Sequence, residues 1–271
     1  MKKKTDEQVT PEISDSQKEI PLHFDTENEK RQRPRGIFLL PNLFTIAGLF
    51  AGFYAIVSAV KGLFDLAAIA IFVAMIMDTL DGRVARLTNT QSAFGAELDS
   101  LSDIVCFGVA PALVVFSWSL SDLGKLGWLA AFIYVAAGAL RLARFNTQIG
   151  TEDKRYFQGL PIPSAAAIIA SMVWLGTEYA IPGTGIAVLV GPIVILTALL
   201  MVSNVRYHSF KGLDLKGRVP FVAILVIVLV FVGISLDPPK ILFLGFFAYG
   251  LSGPVLTLWN LRKTKLLRKN H

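Results

Sequence analysis

The chain has 271 residues, 54% of them hydrophobic and only 17% charged, with a net charge of +6 and a mean hydropathy of +0.57. A soluble domain of this length would need far more polar surface, so these proportions exclude an ordinary globular protein and point to a polytopic membrane protein. The single cysteine, Cys106, excludes an intrachain disulfide framework, and its apolar surroundings predict a packing role.

Residues 1–36 carry eight Lys or Arg and eight Asp or Glu without a periodic apolar pattern, which predicts a disordered polyampholyte tail. Its cluster Lys30, Arg31, Arg33 and Arg35 abuts the first apolar run, where anionic lipid head groups would meet it. No apolar region precedes that run, so the expectation is no cleavable signal peptide and a first span that serves as its own insertion signal.

Eight apolar segments follow, at about 38–60, 64–84, 95–119, 126–146, 161–181, 185–204, 219–236 and 240–260. Each is long enough to cross ~30 Å of hydrocarbon as a helix of roughly 20 residues. Lipid cannot satisfy exposed backbone groups, and no strand-period alternation is present, so the expected fold class is all-α: a membrane helix bundle of about eight spans. With the N-terminus inside, 23 of the 26 basic residues fall in the tails and the even-numbered connections, leaving Lys61, Lys125 and Lys240 outside. That excess predicts both termini in the cytoplasm. Residues 37–261 then form the membrane domain, and 262–271 a basic cytoplasmic tail.

Near the start of the first span, Asn42 and Thr45 lie about a turn apart. They can hydrogen-bond to a bound nucleotide, cap the helix or bond within the bundle. The second and third spans carry the unusual charges. Five of the 12 acidic residues beyond the tail fall within 26 positions: Asp78, Asp81, Glu97, Asp99 and Asp103. An ionised Asp at a helix centre costs ~2.5–3.5 kcal/mol even on the mild insertion scale, so such residues need partners.

Asp78 and Asp81 are three apart and Asp99 and Asp103 four apart, so each pair shares a face of its helix. A short connection makes the helices antiparallel, so the pairs can face each other at the cytoplasmic end. Four converging carboxylates repel unless cations intervene, and an all-oxygen set selects hard ions such as Mg²⁺ or Mn²⁺, one or two of them. Gly82 and Ala85 follow on nearly the same face, and Gly95 precedes Asp99 by one turn. They leave room for a flat or bulky ligand, and Arg86 sets a fixed cation beside that space. Metals, an Arg and a gap lined by backbone indicate a nucleoside diphosphate ester undergoing phosphoryl transfer.

The order Asp78-x2-Asp81-Gly82-x2-Ala85-Arg86-x8-Gly95-x3-Asp99-x3-Asp103 resembles, at every fixed position, the signature of the CDP-alcohol phosphatidyltransferase family. The resemblance implies a two-metal site in which Asp78, Asp81 and Asp99 bind metal and Asp103 serves the second ion and is the candidate catalytic base. Gly82, Ala85, Arg86 and Gly95 would line the pocket for cytidine and its diphosphate. Within the family the chain looks like the bacterial membrane-embedded phosphatidylserine synthases. Further similar stretches are Leu40 to Thr45, Asp103 to Pro111, Arg141 to Asn146, Phe157 to Pro163 and Ser203 to Lys211.

The activity so implied moves a phosphatidyl group from CDP-diacylglycerol to L-serine in the cytoplasmic membrane, with membrane lipids and a second copy of the chain as partners and no nucleic acid. For the acceptor, Arg141, Arg144 and Asn146 end the fourth span at the same level. Arg141 and Arg144 share a face, so one could clamp a carboxylate bidentately, or both could snorkel to the interface. Arg206, Tyr207 and Lys211 read as lipid-interface residues, His208 as a surface residue, and the four Trp residues as interface anchors. Gly159, Pro161 and Pro163 shape the start of the fifth span. Two rival readings are a family member using glycerol 3-phosphate or an inositol derivative, and a cation-coupled transporter. No second copy of the Asp pattern follows Asp103, against the repeated halves of such transporters.

Overall fold

The computed structural model describes residues 39–147, 156–208 and 221–269. The N-terminal tail and the basic residues Lys154, Arg155, Lys211, Lys216 and Arg218 lie outside the described residues. The described chain is overwhelmingly helical. In order come α1 (Leu39–Val60), α2 (Phe64–Thr88), α3 (Ala93–Trp118) and α4 (Lys125–Thr147), then α5 (Ile162–Glu178), α6 (Ala187–Val202), α7 (Phe221–Leu236) and α8 (Pro238–Lys269). These eight helices fall on the eight apolar segments. Among the described residues, five stretches are long and apolar enough to cross a membrane: Leu39–Val60, Ala93–Trp118, Lys125–Thr147, Gly183–Val202 and Pro238–Thr257. Helix α2 matches them in length at 25 residues but carries Asp65, Asp78, Asp81, Arg83 and Arg86. Helix α8 continues to Lys269, through the basic segment expected to begin at 262.

Small residues set how closely the helices approach. Ala51, Ala55 and Ala59 of α1 are buried, as are Ala67, Ala68, Ala70 and Ala74 of α2, and the two helices pack along each other. A methyl on Gly52 would lie 2.7 Å from Cys106 Sγ, so α1 and α3 touch almost backbone to backbone there. Helix α5 has 17 residues and is buried on nearly every side, Ala165 through Val173 without interruption. It is therefore the central helix, packed against α2 and α8.

Two features depart from the expected all-helical bundle. Tyr156–Gln158 pairs antiparallel with Arg206–His208, with Phe157 opposite Tyr207. No alternation foretold this pair, because three residues are too few to carry a period. Helix α3 is not uniformly α-helical: Ile104–Val109 form a π turn, in which the Ala110 N–H reaches Val105 O five residues back.

Several side chains are also placed differently from expectation. Tyr207 is 1% exposed and donates to Gly250 O on α8 at 2.9 Å, so it belongs to the bundle and not to the lipid interface. Trp118 is buried against Gly176 and Gly183, neither of which leaves room for a methyl beside the indole. Trp174 is half-buried, its ring 6.2 Å from that of Phe72, while Trp128 and Trp259 are exposed as anchors would be. Cys106 is buried, as its apolar surroundings predicted.

Candidate functional site

A tight reversal brings the two carboxylate helices together. Helix α2 ends at Asn89, whose left-handed backbone (φ 51°) closes the last turn as its N–H returns to Arg86 O. Helix α3 begins at Ser92, whose hydroxyl accepts the Gly95 N–H at 3.0 Å, a standard N-cap bond. Only Thr90 and Gln91 lie between these caps, so α2 and α3 run antiparallel and their Asp residues meet.

One carboxylate oxygen from each of Asp78, Asp99 and Asp103 falls within a group whose members all lie within 4.8 Å of one another. Asp103 and Asp78 are close enough to share a hydrogen bond. Three oxygen donors drawn from two rigid helices, at half-buried positions, suit a hard divalent cation. Asp81 stands outside that group. It is 5% exposed and accepts a 2.7 Å hydrogen bond from Thr45 Oγ1 on α1.

Beside the carboxylates lies a cavity of about 280 Å³ lined by Asn42, Thr45, Asp81, Gly82, Ala85, Arg86, Gly95 and Asp99. Every residue that the sequence nominated for a nucleotide therefore faces one space. The cavity also has Pro41, Thr90, Gln91, Ser92 and Ala96 in its wall, which the sequence reading passed over. Ser92 was discoverable as an N-cap before a helix; Gln91 carried no signal. Nothing lies within 4 Å of where a Cβ on Gly82 would stand, so that position opens onto the cavity. At Gly95 the reverse holds: a Cβ would crowd Asn42 Oδ1 at 3.2 Å and Ser92 Oγ at 3.1 Å. Next to it Asp78, Asp103, Ser102 and Cys106 line a crevice too narrow for a water molecule, and this crevice shares Thr45, Asp81 and Asp99 with the cavity.

The three acceptor candidates separate. Asn146 Nδ2 donates to Ser100 Oγ at 3.0 Å, next to Asp99, which keeps the end of α4 at the carboxylate helix. Arg141 is 9% exposed, within electrostatic reach of Tyr249 on α8, and so does not snorkel to the interface. Arg144 is employed in holding the chain together. Its guanidinium donates to Met201 O, Val202 O, Gln158 O and Asn204 Oδ1, at 3.1–3.4 Å. Met201 O and Val202 O are the last carbonyls of α6, so Arg144 caps that helix and ties it to β1 (Tyr156–Gln158).

Fold and site define a polytopic membrane protein whose helices bring acidic side chains together in a group able to hold a cation, beside an Arg-bearing cavity. More narrowly, the chain belongs to the CDP-alcohol phosphatidyltransferase family, a sequence model of which matches residues 38–203. It is similar to the CDP-diacylglycerol–serine O-phosphatidyltransferase of Helicobacter pylori, at 39% identity over 196 residues covering 72% of this chain and 83% of that one. The protein of the same name from Methanocaldococcus jannaschii is 42% identical over 142 residues, covering 52% and 63%. An archaetidylserine synthase from Methanothermobacter thermautotrophicus is 34% identical over 176 residues, covering 64% and 71%.

Proposed function

We propose that this protein transfers the phosphatidyl group of CDP-diacylglycerol to the hydroxyl of L-serine, giving phosphatidylserine and CMP. The observation that carries the reading is that Asp99 of the carboxylate group, with Asp81 beside it, lines the Arg86 cavity. A nucleoside diphosphate in that cavity would present its diphosphate to the carboxylates at Asp99. Relatives named for this reaction at 39% and 42% identity support serine as acceptor.

In this reaction the serine oxygen attacks the phosphorus that bears the diacylglycerol. A new O–P bond forms, the bond from that phosphorus to the bridging oxygen of CMP breaks, and CMP leaves. Mg²⁺ or Mn²⁺ ions, two in number, held by Asp78, Asp81, Asp99 and Asp103, would neutralise the phosphate oxygens and the charge on departing CMP. Asp103 takes the hydroxyl proton. Arg86 holds the diphosphate, while Gly82, Ala85 and Gly95 leave space for the cytidine and Asn42 bonds to it. Arg141 and Asn146, at the end of α4, orient the serine, and Arg144 holds the α6 end and β1 beside them.

The same reading sets the protein in the cytoplasmic membrane, with eight spans, both termini and the carboxylate end on the cytoplasmic side. Residues 37–261 are then the catalytic domain, and the functional unit is a homodimer, as the family resemblance implies. The experiment is CMP release by the purified protein from CDP-diacylglycerol with Mn²⁺ or Mg²⁺, comparing serine, glycerol 3-phosphate and inositol phosphate. Serine-dependent release, abolished by chelator and by Asp99→Asn, is the expected result. Release with another acceptor alone discards serine; no release from folded protein turns attention to cation transport.

A further inference from the structure

We propose that Thr45 is a positioning residue for Asp81, and that it acts on the cation site instead of on the nucleotide. The inference deepens the reading above, since it takes the carboxylates as the cation site of that reaction. The Thr45 hydroxyl has one proton and two acceptors within reach, Asp81 Oδ2 at 2.7 Å and Pro41 O at 3.2 Å. A threonine in a helix commonly returns its hydroxyl to the carbonyl four residues back, which here is Pro41 O. The shorter distance is the one to the carboxylate, in the range of a charge-assisted bond. Both side chains are buried, Thr45 at 4% and Asp81 at 5% exposure, so water is not a ready substitute for either partner.

The backbone of Thr45 is anchored as well. Its carbonyl accepts Ser102 Oγ at 3.4 Å, and one turn on, Gly48 O accepts Cys106 Sγ at 3.3 Å. Ser102 and Cys106 each follow one of the α3 carboxylates, Asp99 and Asp103, by three residues. Thr45 is thus the point at which α1 grips both acidic helices, α2 through a side chain and α3 through its backbone. Asp81 is the carboxylate standing apart from the group of three, and it borders both the cavity and the narrow crevice among the other carboxylates. A carboxylate in that place needs its rotamer fixed from outside, and the Thr45 hydroxyl together with the Gly82 N–H does so.

The test uses the full-length protein in detergent and reads Mn²⁺ binding by electron paramagnetic resonance, without lipid or acceptor. Thr45→Val keeps the shape and removes the hydroxyl; Thr45→Ser restores it. Mn²⁺ affinity should fall roughly 10–100-fold in Thr45→Val and stay within about threefold in Thr45→Ser. At saturating Mn²⁺, kcat should drop while KM for the CDP-lipid holds. In an Asp81→Asn background Thr45→Val should add no further loss. Wild-type Mn²⁺ affinity in Thr45→Val, with a raised KM alone, would make Thr45 a nucleotide contact and overturn the proposal. Additive losses in the double variant overturn it too. Wild-type protein that binds no Mn²⁺ sinks the cation reading along with it, a distinct result. If Thr45→Val does not fold, Thr45→Ala against Thr45→Ser makes the same comparison.

Discussion

The Tyr134 hydroxyl on α4 donates a 3.1 Å hydrogen bond to the Phe107 carbonyl, inside the π turn that begins one residue after Asp103. A π turn adds a residue to the helix and re-aims everything on either side of it, so its backbone needs partners that an ordinary helix does not. Tyr134 is completely buried and supplies one. Tyr134→Phe should lower stability by about 0.6 kcal/mol, the mean for such bonds within membranes, and by no more than about 1.7 kcal/mol. A thermal melt in detergent checks this. Because Asp103 sits at the junction, kcat should fall as well, with KM for the CDP-lipid little changed.

The carboxylate group gives a prediction in which stability and activity move apart. Three acidic side chains drawn within 4.8 Å repel one another unless a cation lies among them. Asp103→Asn takes one carboxylate out of the group and leaves a neutral side chain of the same size, so the metal-free variant should melt no lower than the wild type. Its melting temperature should no longer rise with added Mn²⁺ as the wild type's does. CMP release should drop roughly 10²–10⁴-fold, the usual contribution of a positioned base.

Two glycines should respond in opposite ways to the same added methyl. At Gly52 the methyl meets Cys106 Sγ at 2.7 Å and Cys106 Cα at 3.0 Å, and must push α1 from α3. Gly52→Ala should cost ~1–3 kcal/mol, as overpacking does. At Gly82 the methyl meets nothing within 4 Å and occupies the cavity. Gly82→Ala should fold as well as the wild type or gain up to ~1 kcal/mol of helix propensity. It should nevertheless raise KM for the CDP-lipid. Melting curves and KM, measured side by side, separate the two outcomes.

Arg144 meets four oxygens through two nitrogens, a geometry that only a planar fork can satisfy. Arg144→Lys keeps the charge and should still lose about 1–3 kcal/mol of stability. Its KM for serine should stay near that of the wild type. A large rise in that KM at unchanged stability would instead make the guanidinium an acceptor ligand.

The sequence by itself determined where the helices are and which of their faces carry the chemistry. Apolar runs in lipid leave the backbone no alternative to a helix, hence a helix on each apolar segment, although only five described stretches are long and apolar enough to span a bilayer. The spacings 78/81 and 99/103 fix shared faces through the helical period alone, and Asn89 and Ser92 are of the residue types that end and begin helices, respectively. The tertiary structure decided what no local pattern encodes. Asp81 bonds to Thr45, 36 residues away; Arg144 reaches the end of α6, 57 residues on; Tyr207 and Trp118 turn inward against glycines. The π turn after Asp103 rests on Tyr134, and the three-residue strand pair on loops that meet only once the bundle has formed. Each of these depends on which helix faces which, and that is settled by close packing of small residues across the whole bundle, where no single segment holds the information.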